Sequence, residues 1–437
     1  MSERKVPTAA IWALGATQIV GYGTLYYSYS ILAPAVAAEL AWSQQWVFAI
    51  LSTALLAGAV LAPLAGHWAD RFGAGRLMVP GSIAAAGALM FCALAPGRIG
   101  FAIGVLAMEL AACFVLYSTA FVAIVQLGGR DARRSITHLT LIAGFASTLF
   151  WPLTTLLHEH LDWRGVLMVF AGLNLVICLP VHAWLAWLAR AKPLPHHHEP
   201  VNDTADLGAS GGTEPSADGA SAQRPAAAQP DALAPAPRSG RSPLFLLMLA
   251  GFAIEGFVLS AILVHMVPLM AAVGLGTAGV FVASLFGPSQ VASRFINMLF
   301  GGGVRQTWLA FGATASLAAG LAVLLITAPS ILGAVVFAIL FGFGSGLMSI
   351  VGGTLPLELF GRAGYGAHVG WITAARQFSA AFAPFGLTFM MAGVGVFPAL
   401  WINVLIGVVG IATFGAIALT HGRMRNEGGL ALNAEAA

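Results

Sequence analysis

The sequence predicts an all-α polytopic membrane protein with twelve transmembrane helices in two six-helix pseudo-repeats. Three observations predict it. Hydrophobic residues make up 59% of the 437-residue chain and charged residues only 8%, whereas soluble domains carry roughly 25% charged residues. Twelve stretches are apolar enough to cross a bilayer, for which about 20 residues suffice. A polar tract from Arg190 to Arg241 separates these stretches into two sets of six.

In order, the stretches are 9–38, 47–67, 76–95, 99–126, 136–158, 165–189, 244–272, 278–300, 306–327, 330–357, 367–391 and 396–420. Helices are expected because lipid satisfies no backbone polar group. The first stretch far exceeds a signal-peptide core of about 7–15 residues, so no cleaved leader is expected. Alternate loops then separate by charge. Arg71 and Arg76 follow the second stretch, Arg133 and Arg134 the fourth, Arg190 and Lys192 the sixth. Arg305 follows the eighth, Arg362 the tenth, Arg423 and Arg425 the twelfth. Arg98 and Arg164 are the only basic residues on the other side, after the third and fifth. Both termini are therefore expected in the cytoplasm, in a bacterial inner membrane.

Domain boundaries follow. Residues 1–189 form one six-helix half, and 243–437 form the second with a short cytoplasmic tail. The linker 190–242 is rich in Pro, Ala, Gly, Ser and Asp and is expected to be disordered. Its His196, His197 and His198 suit a metal but more simply a solvated tract. The halves show weak internal register, Pro34 against Pro268 and His138 against His368. Paired six-helix halves around a midplane site are a transporter architecture.

Ionisable residues at membrane depth are costly, about 2.5–3.5 kcal/mol each on insertion scales, and default to functional hypotheses. Here they are Glu109, Glu255, His265, Arg294 and Arg376. Arg376 keeps its charge, since guanidinium pKa values exceed about 12. It needs an anion: Glu255 or Glu109 in a static pair, or the carboxylate of a substrate gripped by two parallel donors. Arg294 either binds an anion too or snorkels to headgroups. Glu255 is the first candidate for proton coupling, with Glu109 beside it. His265 titrates near neutral pH when unperturbed, or else sits at the interface. Tyr22, Tyr26 and Tyr29 share one helical face, extended a turn by Gln18. Mid-helix hydroxyls want partners, so this stripe lines a cavity or bonds a neighbouring helix.

The loop "GHWADRFGAGRLM" resembles the signature of the major facilitator superfamily, through Gly66, Asp70, Arg71, Gly73 and Arg76. The family usually ends this motif with two basic residues, and this chain keeps one. The resemblance implies a gating latch at the cytoplasmic end, in which Asp70 meets a helix terminus and a neighbouring arginine. An ordinary charged turn is the plainer reading. Trp163 and Arg164 match the family's Trp-Arg before the sixth helix. "GPSQVASRFINMLFGG" resembles the eighth helix of monocarboxylate porters, with Arg294 in place of their carboxylate-linked arginine and Gln290 where an aspartate is usual. Gly144 and Pro152 lack the glycine run of drug antiporters.

The expected function is a secondary transporter for a small, monocarboxylate-like organic anion, working by alternating access in symport with protons. Arg376, Arg294, Tyr22, Tyr26 and Gln18 are the expected substrate residues. The alternative is an exporter of amphipathic drugs or toxic compounds. A sensor or scaffold would need a soluble signalling piece. No catalytic spacing, metal cluster or nucleotide loop is present, so no enzyme, metal, cofactor or nucleic-acid partner is expected. A monomer in the lipid bilayer is.

Overall fold

The computed structural model describes residues 6–128, 131–190, 242–276 and 278–435. Their regular structure is entirely helical. The linker expected at 190–242, with its three histidines, falls almost wholly outside the described residues.

The first rod is α1 (Thr8–Tyr22), a π-helical turn at Gly23–Tyr27, and α2 (Ser28–Glu39). Next come α3 (Gln44–Phe72) and α4 (Ala74–Leu94). The expected fourth stretch is two pieces, α5 (Gly97–Val115) and α6 (Tyr117–Leu127), which break at Leu116. The fifth is also split, into α7 (Ala132–Ala143) and α8 (Ala146–His160). The sixth is α9 (Trp163–Leu173), a second π turn at Asn174–Cys178, and α10 (Leu179–Arg190). The C-terminal part opens with α11 (Pro243–Ala272). Then follow α12 (Ala278–Ser284) and α13 (Phe286–Phe300), which break before Pro288, a residue with no N–H for the ladder. The last four are α14 (Gln306–Thr327), α15 (Ile331–Phe360), α16 (Tyr365–Val394) and α17 (Val396–Glu435).

Among the described residues, ten helical stretches are long and apolar enough to cross a membrane. The rods Thr8–Glu39 and Ala278–Phe300 fall outside that count. The first is diluted by its tyrosines and serines, the second by Gln290, Arg294 and Asn297.

Capping matches chemistry. Ser242 accepts from the N–H of Phe245, with Pro243 beginning α11. Asp162 accepts from the N–H of Gly165 at 2.7 Å. At the same end Arg164 pairs with Glu39 at 2.9 Å and donates to the carbonyls of Ala93 and Ala95. The Trp163 indole also donates to Glu39. The Trp-Arg pair thus ties α2, α4 and α9 together and occupies carbonyls freed at the end of α4.

One apolar core lies wholly in 245–417 and another in 20–178. A third joins the two parts of the chain, with Tyr365 and Val369 among residues of α1, α3, α4 and α6. It lies at the end the basic residues mark. Four further contacts cross there. Asp70 bonds α16, Arg133 reaches the carbonyls of Gly301 and Val304, Arg362 reaches the carbonyl of Gly128, and Arg294 reaches that of Thr140. The N- and C-terminal parts are thus pinned together at this basic end.

Candidate functional site

The pinning begins at Asp70. Its two carboxylate oxygens accept from the backbone N–H groups of Gly366 and Ala367, at 2.8 and 2.9 Å. These are orphan donors in the first turn of α16, where the helix dipole also favours an anion. A helix terminus is therefore Asp70's partner, and no arginine pairs with it among the described residues. Arg71 lies over the Phe72 ring instead, and neither Arg71 nor Arg76 makes an ion pair among the described residues. Gly66 lets α3 and α16 touch: a Cβ there would stand 2.1 Å from the Gly366 carbonyl oxygen. Gly73 joins α3 to α4 at φ +90°, a conformation open to glycine.

Towards the middle of the bundle, α16 carries Arg376 and Gln377 side by side. Arg376 pairs with Glu255 of α11, with Nε–Oε2 at 2.9 Å and Nη2–Oε1 at 3.3 Å. The Glu255 side chain is fully buried and that of Arg376 one-third exposed. Close helix contact permits the pair, since Gly256 lies against the Arg376 backbone. Of the two carboxylates expected for Arg376, Glu255 is the one in contact. Glu109 is held instead from across the bundle, by Gln377 at 2.7 Å. Arg376 Nη1 has no hydrogen-bond partner among the described residues.

Arg376, Gln377 and Glu109 face a cavity of about 310 Å³ between the N- and C-terminal parts. Tyr22, Tyr26 and Tyr117 line its N-terminal side. Ser349, Gly352 and Thr373 line the other. The tyrosine stripe differs from the expected one, and the π turn is the reason. It shifts the helical register after Tyr22, so Tyr27 joins the aromatic cluster while Tyr29 leaves it. Tyr29 is buried and donates to the Val47 carbonyl at 2.6 Å. The turn is braced by Asn174, whose amide donates to Thr24 Oγ1 at 3.0 Å from the second π turn.

Besides Glu255, the expected site residues Gln18, His265 and Arg294 lie off the cavity wall. Gln18 is fully buried and donates to the Val115 carbonyl at 2.8 Å, where the α5–α6 break frees that acceptor. His265 bonds Ala261 and Thr388 within the C-terminal part. Arg294 is also set back. It is buried, donates to Ser349 Oγ at 3.0 Å and to the Thr140 carbonyl at 3.2 Å, and pairs with no carboxylate among the described residues. It therefore does not snorkel. Gly144 makes room for it, since a Cβ there would come within 2.3 Å of Nη1. Gln290 bonds Ser345 at 2.8 Å. Gln377, Tyr117 and Tyr27 were not singled out in the sequence. Gln377 directly follows the isolated Arg376, which is the signal that points to it.

A carboxyl latch at one end, a charged cavity at mid-bundle and crossing contacts between two helical sets belong together. The family profile of the Major Facilitator Superfamily matches residues 15–384.

The chain belongs to the Major Facilitator Superfamily.

Members of this superfamily are multi-pass transporters that bind small molecules within a lipid bilayer. No curated protein matches the sequence. Solved structures share the fold. The human organic anion transporter MFSD10 (TETRAN) aligns at TM-score 0.66 and 11% identity, over 95% of this chain and 100% of that one. The transporter FucP, in an outward conformation, aligns at 0.65 and 12%, over 93% and 98%. The proton:xylose symporter XylE aligns at 0.63 and 11%, over 93% and 95%. At such identities the likeness speaks for the fold alone.

Proposed function

We propose that this member of the superfamily is a secondary active transporter for a small, monocarboxylate-like organic anion. It works by alternating access in a bacterial cytoplasmic membrane, in symport with protons. The observation that carries the proposal is Arg376, a permanent cation on the wall of a mid-bundle cavity with one N–H-bearing nitrogen, Nη1, unbonded among the described residues. Glu255 already supplies one counter-charge, so an incoming carboxylate meets a guanidinium with donors to spare. Proton binding at Glu255 would loosen its hold and strengthen the grip on the anion, which couples the two movements. Glu109 is a second carboxyl, on the cavity wall itself, whereas Glu255 lies buried against Arg376.

The proposed architecture is twelve spans in two six-helix halves, joined by the linker 190–242. The ten apolar spans are completed by the rods Thr8–Glu39 and Ala278–Phe300. Both termini lie in the cytoplasm, and the protein acts as a monomer. The conformation here is closed at the basic end. Rocking of the halves would release Asp70 from α16 and open the cavity to that side.

Reconstituted proteoliposomes test this. A transmembrane proton gradient should drive accumulation of a radiolabelled small carboxylate. Arg376→Gln should abolish it, and Glu255→Gln should retain exchange but lose the response to the gradient. Undiminished accumulation by Arg376→Gln would remove the proposal's basis.

A further inference from the structure

We infer that the substrate is an aromatic monocarboxylate, a single ring bearing one acid arm; this rests on the anion-carrier reading above. The first support is the N-terminal wall. Tyr22 and Tyr117 have ring centroids 4.7 Å apart, and Tyr117 stacks on Phe121 at 5.1 Å. Tyr27 lies 6.3 Å from Tyr22 and 5.4 Å from Tyr26. Tyr22, Tyr26, Tyr117 and Phe121 line the cavity, and Tyr27, outside the lining, packs against Tyr22 and Tyr26. Planar faces and edges favour an aromatic guest over an aliphatic one.

The second support is the opposing wall. It offers one guanidinium to the cavity, that of Arg376, and Tyr22 and Tyr26 line the same cavity. The aromatic wall and the cation thus address the same space. Beside Arg376 the wall is flat: a Cβ on Gly352 would meet only Nη1, at 3.9 Å. That leaves a slot in which a carboxylate can lie against Nη1. A second acid group would find no second cation, since Arg294 is engaged by Ser349 and Thr140 and lies outside the lining. The third support is size. About 310 Å³ stands at the lower end of the roughly 300–1,000 Å³ of small-molecule sites, which suits a single ring with an acid arm.

The test is a binding matrix on full-length protein in lipid nanodiscs, titrated with phenylacetate, acetate and phenylacetamide. Phenylacetate should bind at least about tenfold tighter than acetate, because the ring adds apolar burial and aromatic contact. Phenylacetamide, isosteric and neutral, should not saturate. A phenylacetate preference below tenfold, with both acids binding and the amide excluded, would overturn the aromatic assignment and leave the anion reading standing. Equal binding of the amide, or no binding of either acid, would overturn both. Two variants locate the seat. Tyr22→Leu should erase most of the phenylacetate-over-acetate preference, and Gly352→Val should weaken phenylacetate at least about tenfold by filling the slot. Wild-type preference in both variants would place the ring elsewhere and refute the inference.

Discussion

Replacing Asp70 by Asn tests how the basic end is held shut. The two carboxylate oxygens of Asp70 accept from Gly366 and Ala367 at 2.8 and 2.9 Å, at the start of the 30-residue helix α16. Asparagine keeps one acceptor and loses the charge. A hydrogen bond to a charged group contributes about 1.5–3 kcal/mol, and an anion at a helix N-terminus about 0.3–1 kcal/mol. Losing one such bond and the dipole interaction should cost the closed state roughly 2–4 kcal/mol. With tenfold per 1.4 kcal/mol, the closed-to-open ratio should fall roughly 30- to 700-fold. The assay is electron–electron distance measurement between spin labels at Arg76→Cys and Ala363→Cys, both exposed sites flanking the contact. The native cysteines, Cys92, Cys113 and Cys178, are buried, but Cys113 lines the cavity, so the label pair is placed in a background with all three replaced by Ser. The Asp70 form should give a short distance, and Asp70→Asn should shift population to a longer one. An unchanged distribution would refute the reasoning and make Asp70 an ordinary polar turn residue.

Further outcomes follow from the same geometry. Gly66→Ala should open this end in the same spin-label assay, because its Cβ would stand 2.1 Å from a backbone oxygen that cannot rotate away. Glu255→Gln should tighten anion binding by about tenfold, since it removes a competing carboxylate at 2.9 Å from Arg376; calorimetry reads this directly. Gly144→Val should push the Arg294 guanidinium from the Thr140 carbonyl and slow transport by tenfold or more, with thermal stability reporting whether the bundle survives.

The sequence reveals the fold through what lipid demands. Long apolar runs and basic residues in alternate loops locate the helices, because an unsatisfied backbone or a misplaced cation costs several kcal/mol in a bilayer. Arg376 and Glu255 are legible for the same reason: each is an isolated charge at depth. The breaks at Leu116 and Leu285 are less visible, since a tertiary bond pays for the first and Pro288 alone hints at the second. Gln18 illustrates the limit. Its helical face points with the tyrosines, but the carbonyl that claims it lies 97 residues away in sequence. Tyr29 and Tyr27 exchange places because one π turn alters the register, and helical periodicity assumes there is none. Asp70's partners are backbone amides 296 and 297 residues distant, which no side-chain pattern announces.

Whether Arg376 meets an anion separates a carrier from a bundle with a static ion pair. Carboxylate-induced thermal stabilisation of the purified protein, measured on wild type and Arg376→Gln across a panel of small acids, tests it most directly. At least one acid should raise the melting temperature of wild type in a concentration-dependent way and leave Arg376→Gln unmoved. Equal stabilisation of both proteins, or stabilisation of wild type by neutral and cationic ligands alone, would contradict it and reduce Arg376 to the structural partner of Glu255.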